Sequence, residues 1–339
     1  MNDRYSRQEL FSGIGKEGQQ KLSQKHVLIV GAGALGSGNA EALVRAGVGK
    51  VTIIDRDYVE WSNLQRQQLY KEKDAENRIP KAVAARQRLK QINSMVTVEA
   101  ITADAGVPEL EKLQKGVDVI VDATDNFDTR MIINDISQKY RIPWVYGACV
   151  GSYGISYTIQ PGLTPCLHCL LGSVPLGGAT CDSAGIISPA VGMVVSYQSA
   201  EVLKLLTGDL DHLRNKLVTF DLWQNQHSSI YPGSLKKEEC LSCGNNPTYP
   251  FLSYENQTKT AVLCGRNSVQ IRPAAKGERN LEETAAMLVK TGGKVERNPF
   301  LLSYEISGRR MVLFKDGRVL IHGINDIAEA KKIYHRYLG

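Results

Sequence analysis

Apolar positions in the first half of the chain form short runs that are separated by longer stretches of helical character. Apolar runs of this length predict parallel strands buried on both faces, and the intervening stretches predict helices that cover the sheet. This alternation predicts a doubly wound, Rossmann-like α/β sheet that is mostly parallel. The predicted strands are residues 27–30, 51–54, 96–101, 117–121 and 143–148, and the clearest predicted helices are residues 80–93 and 127–140.

The pattern changes after Gly151, where apolar and polar residues alternate more regularly. Alternation predicts antiparallel strands added to the sheet, and one longer apolar stretch predicts a further helix. These elements are strands at 153–160, 217–221 and 226–231 and a helix at 190–207. Residues 161–189 form a Gly- and Pro-rich stretch of a length that is usually functional.

The last part of the chain predicts a small α+β module. Residues 244–250 are typical of a linker, so we expect one domain at 1–247 and a second at 251–339. Asp316-Gly317 lies between two apolar runs, which is a strong hairpin signal. The predicted elements of the module are strands at 260–264, 268–271, 311–314 and 319–322 and helices at 281–291 and 326–337.

The composition is that of an ordinary globular protein, with 42% apolar and 22% charged residues among 339. The sequence contains no apolar run of about 18 residues and no signal-peptide core, so we expect a cytoplasmic chain without membrane spans. The net charge of +6 is not gathered into a basic tract. This disfavours nucleic acid and fits an acidic ligand or an acidic protein partner.

A glycine motif of the form GxGxxG lies between the first predicted strand and its helix. Gly31 permits the turn, Gly33 lets the backbone approach a phosphate, and Gly36 lets the helix pack closely. A phosphate bound beside Ala34 would face the N-terminus of the helix. Asp55 ends the second strand within reach of a ribose hydroxyl. The stretch predicts a nucleotide site without naming the nucleotide.

Polar residues follow the ends of other predicted strands, which is the edge where open α/β sheets bind ligands. Alone, Asn63, Arg66, Lys81 and Asp125 would each be ordinary solvated side chains. Together with a glycine loop, the cations and the amide could hold a triphosphate, and the carboxylate could hold Mg²⁺. Lys81 also lies in the first turn of a helix, where the dipole disfavours a cation. A local rule broken in this way often marks function.

Two CxxC pairs contain four of the seven cysteines. Cys166, Cys169, Cys240 and Cys243 have the spacing of a closed structural zinc site with four thiolates. The alternatives are a redox pair or unrelated thiols. His168 lies inside the first pair, where it could support the metal-binding cysteines, although we expect it to be solvent-exposed.

Several motifs, in this order along residues 4–244, resemble the MoeB/ThiF family of sulfur-carrier-protein adenylyltransferases, the bacterial relatives of ubiquitin-activating enzymes. The most specific are the segments that follow the second and fourth strands. The motifs are Arg4-Tyr5-Ser6-Arg7-Gln8, GAGALG, Ser62-Asn63-Leu64-Gln65-Arg66-Gln67, Pro80-Lys81, Ala123-Thr124-Asp125-Asn126, the paired CxxC motifs and Thr180-Cys181. Relatives often have a glycine shortly before Pro-Lys, where this chain has Asn77-Arg78-Ile79.

The resemblance implies an ATP site. Asp55 would hold the ribose, and Asn63, Arg66 and Lys81 would contact the phosphates, with Lys81 near the α-phosphate. Asp125 would position Mg²⁺.

The resemblance also implies assembly and a substrate. Asn126 would complete the nucleotide site, and Arg7 would reach into the partner's site of a homodimer. The four CxxC cysteines would bind Zn²⁺, and Cys181, in a glycine-rich loop, would bond to the activated carrier in some members. The substrate would be the C-terminal glycine of a small ubiquitin-like sulfur carrier, either MoaD-type or ThiS-type, for molybdopterin or thiamine thiazole biosynthesis. A cysteine desulfurase or a rhodanese would supply sulfur.

This chemistry suits the residues, because a carboxylate nucleophile is already ionised and needs no general base. A nicotinamide-dependent oxidoreductase is the main alternative, but it leaves Arg66, Lys81 and the cysteine pairs unexplained. A silent scaffold that binds a carrier without activating it is a third reading. The C-terminal module does not resemble a rhodanese, and the sequence assigns it no chemistry.

Overall fold

The computed structural model describes residues 3–171, 185–253, 260–263, 268–271, 279–306, 308–324 and 326–338. These residues form two compact units. One comprises the described residues up to 253, and the other comprises those from 260 onward. No helix in these ranges is long and apolar enough to span a membrane.

The first unit is built on an eight-stranded sheet in the order β3-β2-β1-β4-β5-β6-β7-β8. The first five strands in this order pair in parallel and the remaining pairings are antiparallel, which confirms the expected mixed Rossmann-like sheet. The strands are β1 (His26–Val30), β2 (Lys50–Asp55), β3 (Thr97–Thr102), β4 (Val119–Asp122), β5 (Trp144–Val150), β6 (Tyr153–Ile159), β7 (Leu217–Asp221) and β8 (Gln226–Ile230).

Helices cover both faces of this sheet. The helices are α1 (Ser6–Glu9), α2 (Gly15–Leu22), α3 (Ala34–Ala46), α4 (Glu72–Glu76), α5 (Lys81–Ile92), α6 (Val107–Leu113), α7 (Phe127–Tyr140), α8 (Leu167–Leu171) and α9 (Ser188–Thr207). The α3 and α9 helices approach closely at Gly38, where an added Cβ would lie only 2.7 Å from the Val195 side chain.

The central strand shows why its sequence is apolar without alternation. Val27 and Ile29 of β1 belong to the core cluster on one face of the sheet. Leu28 and Val30 belong to the cluster on the other face. All four side chains are fully buried, because a parallel sheet is covered by helices on both sides.

The strand register aligns the carboxyl ends of the three central strands. Val30 of β1 is paired with Ile54 of β2 and with Asp122 of β4. The Gly31 amide donates to the Ile54 carbonyl at 2.8 Å, and the Ala123 amide donates to the Val30 carbonyl at 2.9 Å. The residues that follow these three strands therefore lie side by side at one edge.

The second unit is a six-stranded antiparallel sheet in the order β11-β12-β13-β14-β10-β9, with two helices. Its elements are β9 (Thr260–Leu263), β10 (Ser268–Ile271), α10 (Leu281–Val289), β11 (Lys294–Arg297), β12 (Leu301–Ile306), β13 (Arg309–Phe314), β14 (Val319–His322) and α11 (Ile327–Leu338). The sequence did not predict β11 and β12. The β11 strand is a polar edge strand, in which every residue except Val295 is exposed, so it has no apolar pattern.

Candidate nucleotide site and cysteine cluster

The glycine loop connects β1 to α3, and its glycines have different structural roles. Gly31 has φ +100, and a Cβ there would lie 2.4 Å from the Ala123 carbonyl oxygen. A Cβ at Gly36 would lie 1.9 Å from the Gly31 carbonyl oxygen. A Cβ at Gly33 would meet nothing closer than Gln67 Nε2 at 3.9 Å. Packing therefore requires the first and third glycines, whereas the second faces open space.

The N-terminus of α3 opens onto this space. Gly33 is the residue before the helix, and no side chain caps the first-turn amides that begin at Ala34. Uncapped amides and the helix dipole favour an anion at this position. The loop therefore has the form of a phosphate seat.

Asp55 lies beneath the loop at the end of β2. One carboxylate oxygen accepts from the Ala32 amide at 2.6 Å, and the other accepts from the Asp57 amide at 2.6 Å. Burial raises the pKa of the Asp55 carboxyl, although the nearby Lys81 ammonium acts in the opposite direction. The carboxylate is therefore held in one orientation at the site.

Lys81 is joined to the same strand end. Its ammonium lies 3.2 Å from the Asp57 carboxylate, and its side chain is 2% exposed. Its amide donates to the Asp57 carbonyl at 2.9 Å, and Pro80 forms a β-bridge with Tyr58. Arg78 adopts φ +48 in the preceding turn, a left-handed conformation that favours glycine. The turn thus keeps a glycine-like backbone without a glycine.

The segment after β2 lies against the glycine loop. Asn63 is buried and accepts from the Glu60 amide at 3.0 Å, which fixes a short 3₁₀ turn. Half-buried Arg66 donates to the Ser62 carbonyl at 2.8 Å. Further along, the Tyr70 hydroxyl donates to the Ala32 carbonyl at 2.5 Å. This segment is therefore fastened to the loop.

The residues after β4 include the predicted Mg²⁺ ligand. Asp125 is exposed at the edge of the sheet. Asn126 caps α7, because its side-chain oxygen accepts from the Thr129 amide at 2.8 Å. This cap explains why the predicted and observed bounds of α7 coincide.

A buried ion pair that the sequence did not identify supports this turn. Arg130 Nε lies 3.0 Å from Asp122 Oδ2, and Arg130 Nη2 donates to the Thr124 carbonyl at 2.7 Å. Asp122 Oδ1 also accepts from the Thr124 amide at 2.9 Å. Burial disfavours the Arg130 cation, but Asp122, Tyr146 and Asp125 together outweigh this effect, and the pKa of the guanidinium is raised. The only sequence signal was an acid at the end of a buried strand, eight residues before an arginine.

Arg7 lies away from this edge. It is exposed in α1, and residues on either side of it contact the C-terminal ends of α3 and α5. Arg4 donates to the Ile92 carbonyl at 2.9 Å, and Gln8 donates to the Ala46 carbonyl at 2.9 Å. The α3 helix has 13 residues and is therefore about 20 Å long. Within one chain, Arg7 and the glycine loop are at opposite ends of that helix.

The four CxxC cysteines form one cluster. Their sulfur atoms all lie within 4.8 Å of one another. The sulfurs of Cys166 and Cys240 are 3.7 Å apart, and those of Cys169 and Cys243 are 3.5 Å apart. Hydrogen bonds between the thiols lower the pKa of Cys169 and lower that of Cys240 to about 6, whereas they raise the pKa of Cys166. The cluster is compatible with a metal site.

The surroundings of the cluster differ from one expectation. His168 is half-buried rather than solvent-exposed, because its Nδ1 lies 3.2 Å from the Ser242 hydroxyl and its ring packs against Phe251. The α7 helix contacts both cysteine pairs. Buried Asn134 accepts from the Leu167 amide of the first pair at 2.8 Å, and Asp135 is hydrogen-bonded to the Ser242 side chain of the second pair. Asp135 also accepts from the Phe251 amide at 2.9 Å. One helix therefore connects the turn at Asn126 with the cysteine cluster.

The remaining cysteines are separate from this cluster. Cys181, for which a reactive role was expected, lies outside the described residues, as do Thr180 and Cys264. Cys149 is half-buried near the end of β5. The reactive role of Cys181 stays a prediction.

The fold and the site define an α/β protein with a nucleotide-type glycine loop beside a four-cysteine cluster. Residues 5–242 match the model of the ThiF family, and the chain belongs to that family. It is 56% identical, over all of both chains, to the sulfur carrier protein ThiS adenylyltransferase of Bacillus subtilis. It is 34% identical to the molybdopterin-synthase adenylyltransferase of Escherichia coli, over 71% of this chain and 96% of that protein.

A solved structure has the same fold. The crystal structure of E. coli MccB with MccA-N7isoAsn matches with a TM-score of 0.64 at 24% identity, over 72% of this chain and 75% of that one. Because its relatives are adenylyltransferases, the chain is a nucleotidyltransferase of this ATP-using type. The oxidoreductase alternative is not favoured.

Proposed function

We propose that this enzyme uses ATP and Mg²⁺ to adenylylate the C-terminal glycine of a small ubiquitin-like sulfur-carrier protein, with release of pyrophosphate. The observation that carries the proposal is the convergence of Gly33, Asp55, Lys81 and Asp125 at the aligned strand ends. The full-length similarity to a ThiS adenylyltransferase favours a ThiS-type carrier and the thiamine thiazole pathway over a MoaD-type carrier. A cysteine desulfurase or a rhodanese would then supply sulfur to the activated carrier.

The nucleotide would lie along this edge. Asp55 would hold the ribose, and the uncapped amides beside Gly33 and Ala34 would hold a phosphate. Lys81 would contact the α-phosphate, and Asn63 and Arg66 would contact the rest of the triphosphate. Asp57 now neutralises the Lys81 ammonium, so the bound phosphate would share that cation with a carboxylate.

The reaction itself needs little besides positioning. A carboxylate oxygen of the carrier attacks the α-phosphorus, and the bond to pyrophosphate breaks. Because the nucleophile is already ionised at neutral pH, no base is required. Asp125, with Asn126 beside it, would hold Mg²⁺, which neutralises charge on the triphosphate. Arg130 keeps that turn in place through the Thr124 carbonyl.

Arg7 would act in a neighbouring chain. It is exposed at one end of α3, a helix about 20 Å long whose other end carries the glycine loop of the same chain. A homodimer that brings this end to a partner's site would supply the additional cation. This supports a role in trans and disfavours one within the same chain.

The cysteine cluster would hold one structural Zn²⁺. With Zn–S bonds of about 2.3 Å, the sulfurs of a tetrahedral site are about 3.8 Å apart. The Cys166–Cys169, Cys166–Cys240 and Cys169–Cys243 separations of 3.9, 3.7 and 3.5 Å fit that geometry. Four thiolates leave no open position for substrate, so the ion would stabilise the fold rather than catalyse.

The function is tested by exchange of labelled pyrophosphate into ATP in the presence of purified carriers. We expect exchange with a ThiS-type carrier from the same cell, much less with a MoaD-type carrier, and none with a carrier that lacks its terminal glycine. Lys81→Met should abolish exchange while the carrier still binds. Absence of exchange with every carrier, together with binding of NADH but not ATP, would favour a nicotinamide-dependent oxidoreductase over an adenylyltransferase.

A further inference from the structure

The segment that lies over the glycine loop contains a side chain to which nothing above assigns a role. Gln67 is 3% exposed, and its backbone is held in the turn by a 2.9 Å hydrogen bond to the Asn63 carbonyl. Its Oε1 is buried and has no hydrogen-bond partner among the residues that the structure describes. An unpaired buried amide oxygen is destabilising, and natural proteins keep such a group where it has a purpose.

The Gln67 amide is directed at the space beside Gly33. Among the described residues, apart from the chain neighbours of Gly33, its Nε2 is the atom that comes within 4 Å of the position a Gly33 Cβ would occupy, at 3.9 Å. That space is where the second glycine of the loop lets a phosphate approach the backbone. A primary amide offers two N–H donors and an acceptor, and phosphate oxygens accept hydrogen bonds.

The position of Gln67 is fixed from both sides. Asn63 caps the turn before it, and Tyr70 donates to the Ala32 carbonyl of the loop after it. Burial raises the pKa of the Tyr70 phenol well above its usual value, so this donor keeps its proton. The amide is therefore held over the loop before any ligand arrives.

We propose that Gln67 is a nucleotide-contacting residue whose side-chain amide binds the phosphate chain seated at the glycine loop. The proposal rests on the proposed function, because it deepens the same nucleotide site. The amide would donate from Nε2 to a phosphate oxygen, and Oε1 would gain a partner in the hydration of the bound phosphates and their cation. Gln67 would thus act together with Lys81 and Arg66.

The test compares Gln67→Met, which keeps the length without hydrogen bonding, with Gln67→Glu, which places a carboxylate against the phosphates. The matched control is Gln68→Met, because Gln68 is the adjacent glutamine but is exposed and bonded to Glu41 at 3.2 Å. Titration calorimetry measures ATP binding without a carrier, and competition measures adenosine binding. We expect Gln67→Met to weaken ATP binding roughly 10- to 100-fold and Gln67→Glu to weaken it further. The adenosine affinity of the Gln67 variants should equal that of the parent, and Gln68→Met should bind ATP as tightly as the parent.

Melting of the nucleotide-free variants separates a binding role from a structural one. Removal of an unpaired acceptor should leave the melting temperature of Gln67→Met equal to or above that of the parent. A lower melting temperature with unchanged ATP affinity would overturn the proposal, and so would an equal loss of ATP and adenosine binding. If the parent chain bound no ATP, the proposed function would fail with it. If the parent exchanged pyrophosphate and Gln67→Met bound ATP normally, only this inference would fail.

Discussion

Replacement of Arg130 by methionine should strongly destabilise the first unit of this protein. The guanidinium lies 3.0 Å from the Asp122 carboxylate, and the Asp122 side chain is fully buried. Removal of one partner from such a pair leaves a buried charge without compensation, which costs about 3–5 kcal/mol. For a unit of this size that corresponds to a fall in melting temperature of about 6–20 °C.

Two variants calibrate this prediction in thermal melts of the full chain. Lys139 lies on the same helix but forms an exposed pair with Glu111, so Lys139→Met should cost about 1 kcal/mol or less. The double variant Asp122→Asn, Arg130→Met removes the buried charge and should recover part of the loss. A second readout is the Mg²⁺ concentration for half-maximal exchange, which should rise in Arg130→Lys because the fork that holds the Thr124 carbonyl is lost.

The result that would refute this reasoning is a melting temperature of Arg130→Met no lower than that of Lys139→Met. Asp122 would then be neutral or hydrated in the folded protein, and the ion pair would not support the turn before Asp125.

Three further predictions concern the loop, the metal and the assembly. Gly33→Ala should lower ATP affinity at least roughly tenfold with little change in melting temperature, since a Cβ there meets nothing nearer than 3.9 Å. Gly31→Ala should instead lower the melting temperature. A larger loss of melting temperature in Gly33→Ala and a larger loss of ATP affinity in Gly31→Ala would contradict the assigned roles. Purified protein should contain about one zinc per chain by mass spectrometry, and Cys243→Ser should lose zinc and melt earlier; zinc-free parent protein would refute the closed site. Arg7→Ala and Lys81→Met should each be inactive, and mixed subunits should regain roughly one quarter of the parent exchange activity, because half of randomly mixed dimers carry one intact site. No recovery in proven mixed dimers would place Arg7 outside the partner's site.

The sequence by itself determined the features that depend on short-range pattern. The apolar run of β1 predicted a doubly covered strand, because each of its side chains had to be buried on one face or the other. The predicted and observed α7 both span residues 127–140, and they agree because the Asn126 side chain caps the start of the helix. The glycine motif and the CxxC spacing likewise indicated their chemistry, since each encodes a local backbone geometry.

Only the tertiary structure decided which side chains became partners. Lys81 and Asp57 are 24 residues apart and meet because Pro80 bridges back to the end of β2. Arg130 and Asp122 meet because α7 returns along the strand that precedes it.

The tertiary structure also decided which candidate site residues lie together and which lie apart. Arg7 and Gly31 are also 24 residues apart in sequence, yet α3 holds Arg7 and the glycine loop at its opposite ends. Gln67 belonged to a recognised motif, but only the fold aimed its amide at Gly33 and left Oε1 unpaired. Periodicity and spacing describe neighbours along the chain, whereas the strand order of the sheet decides neighbours across it.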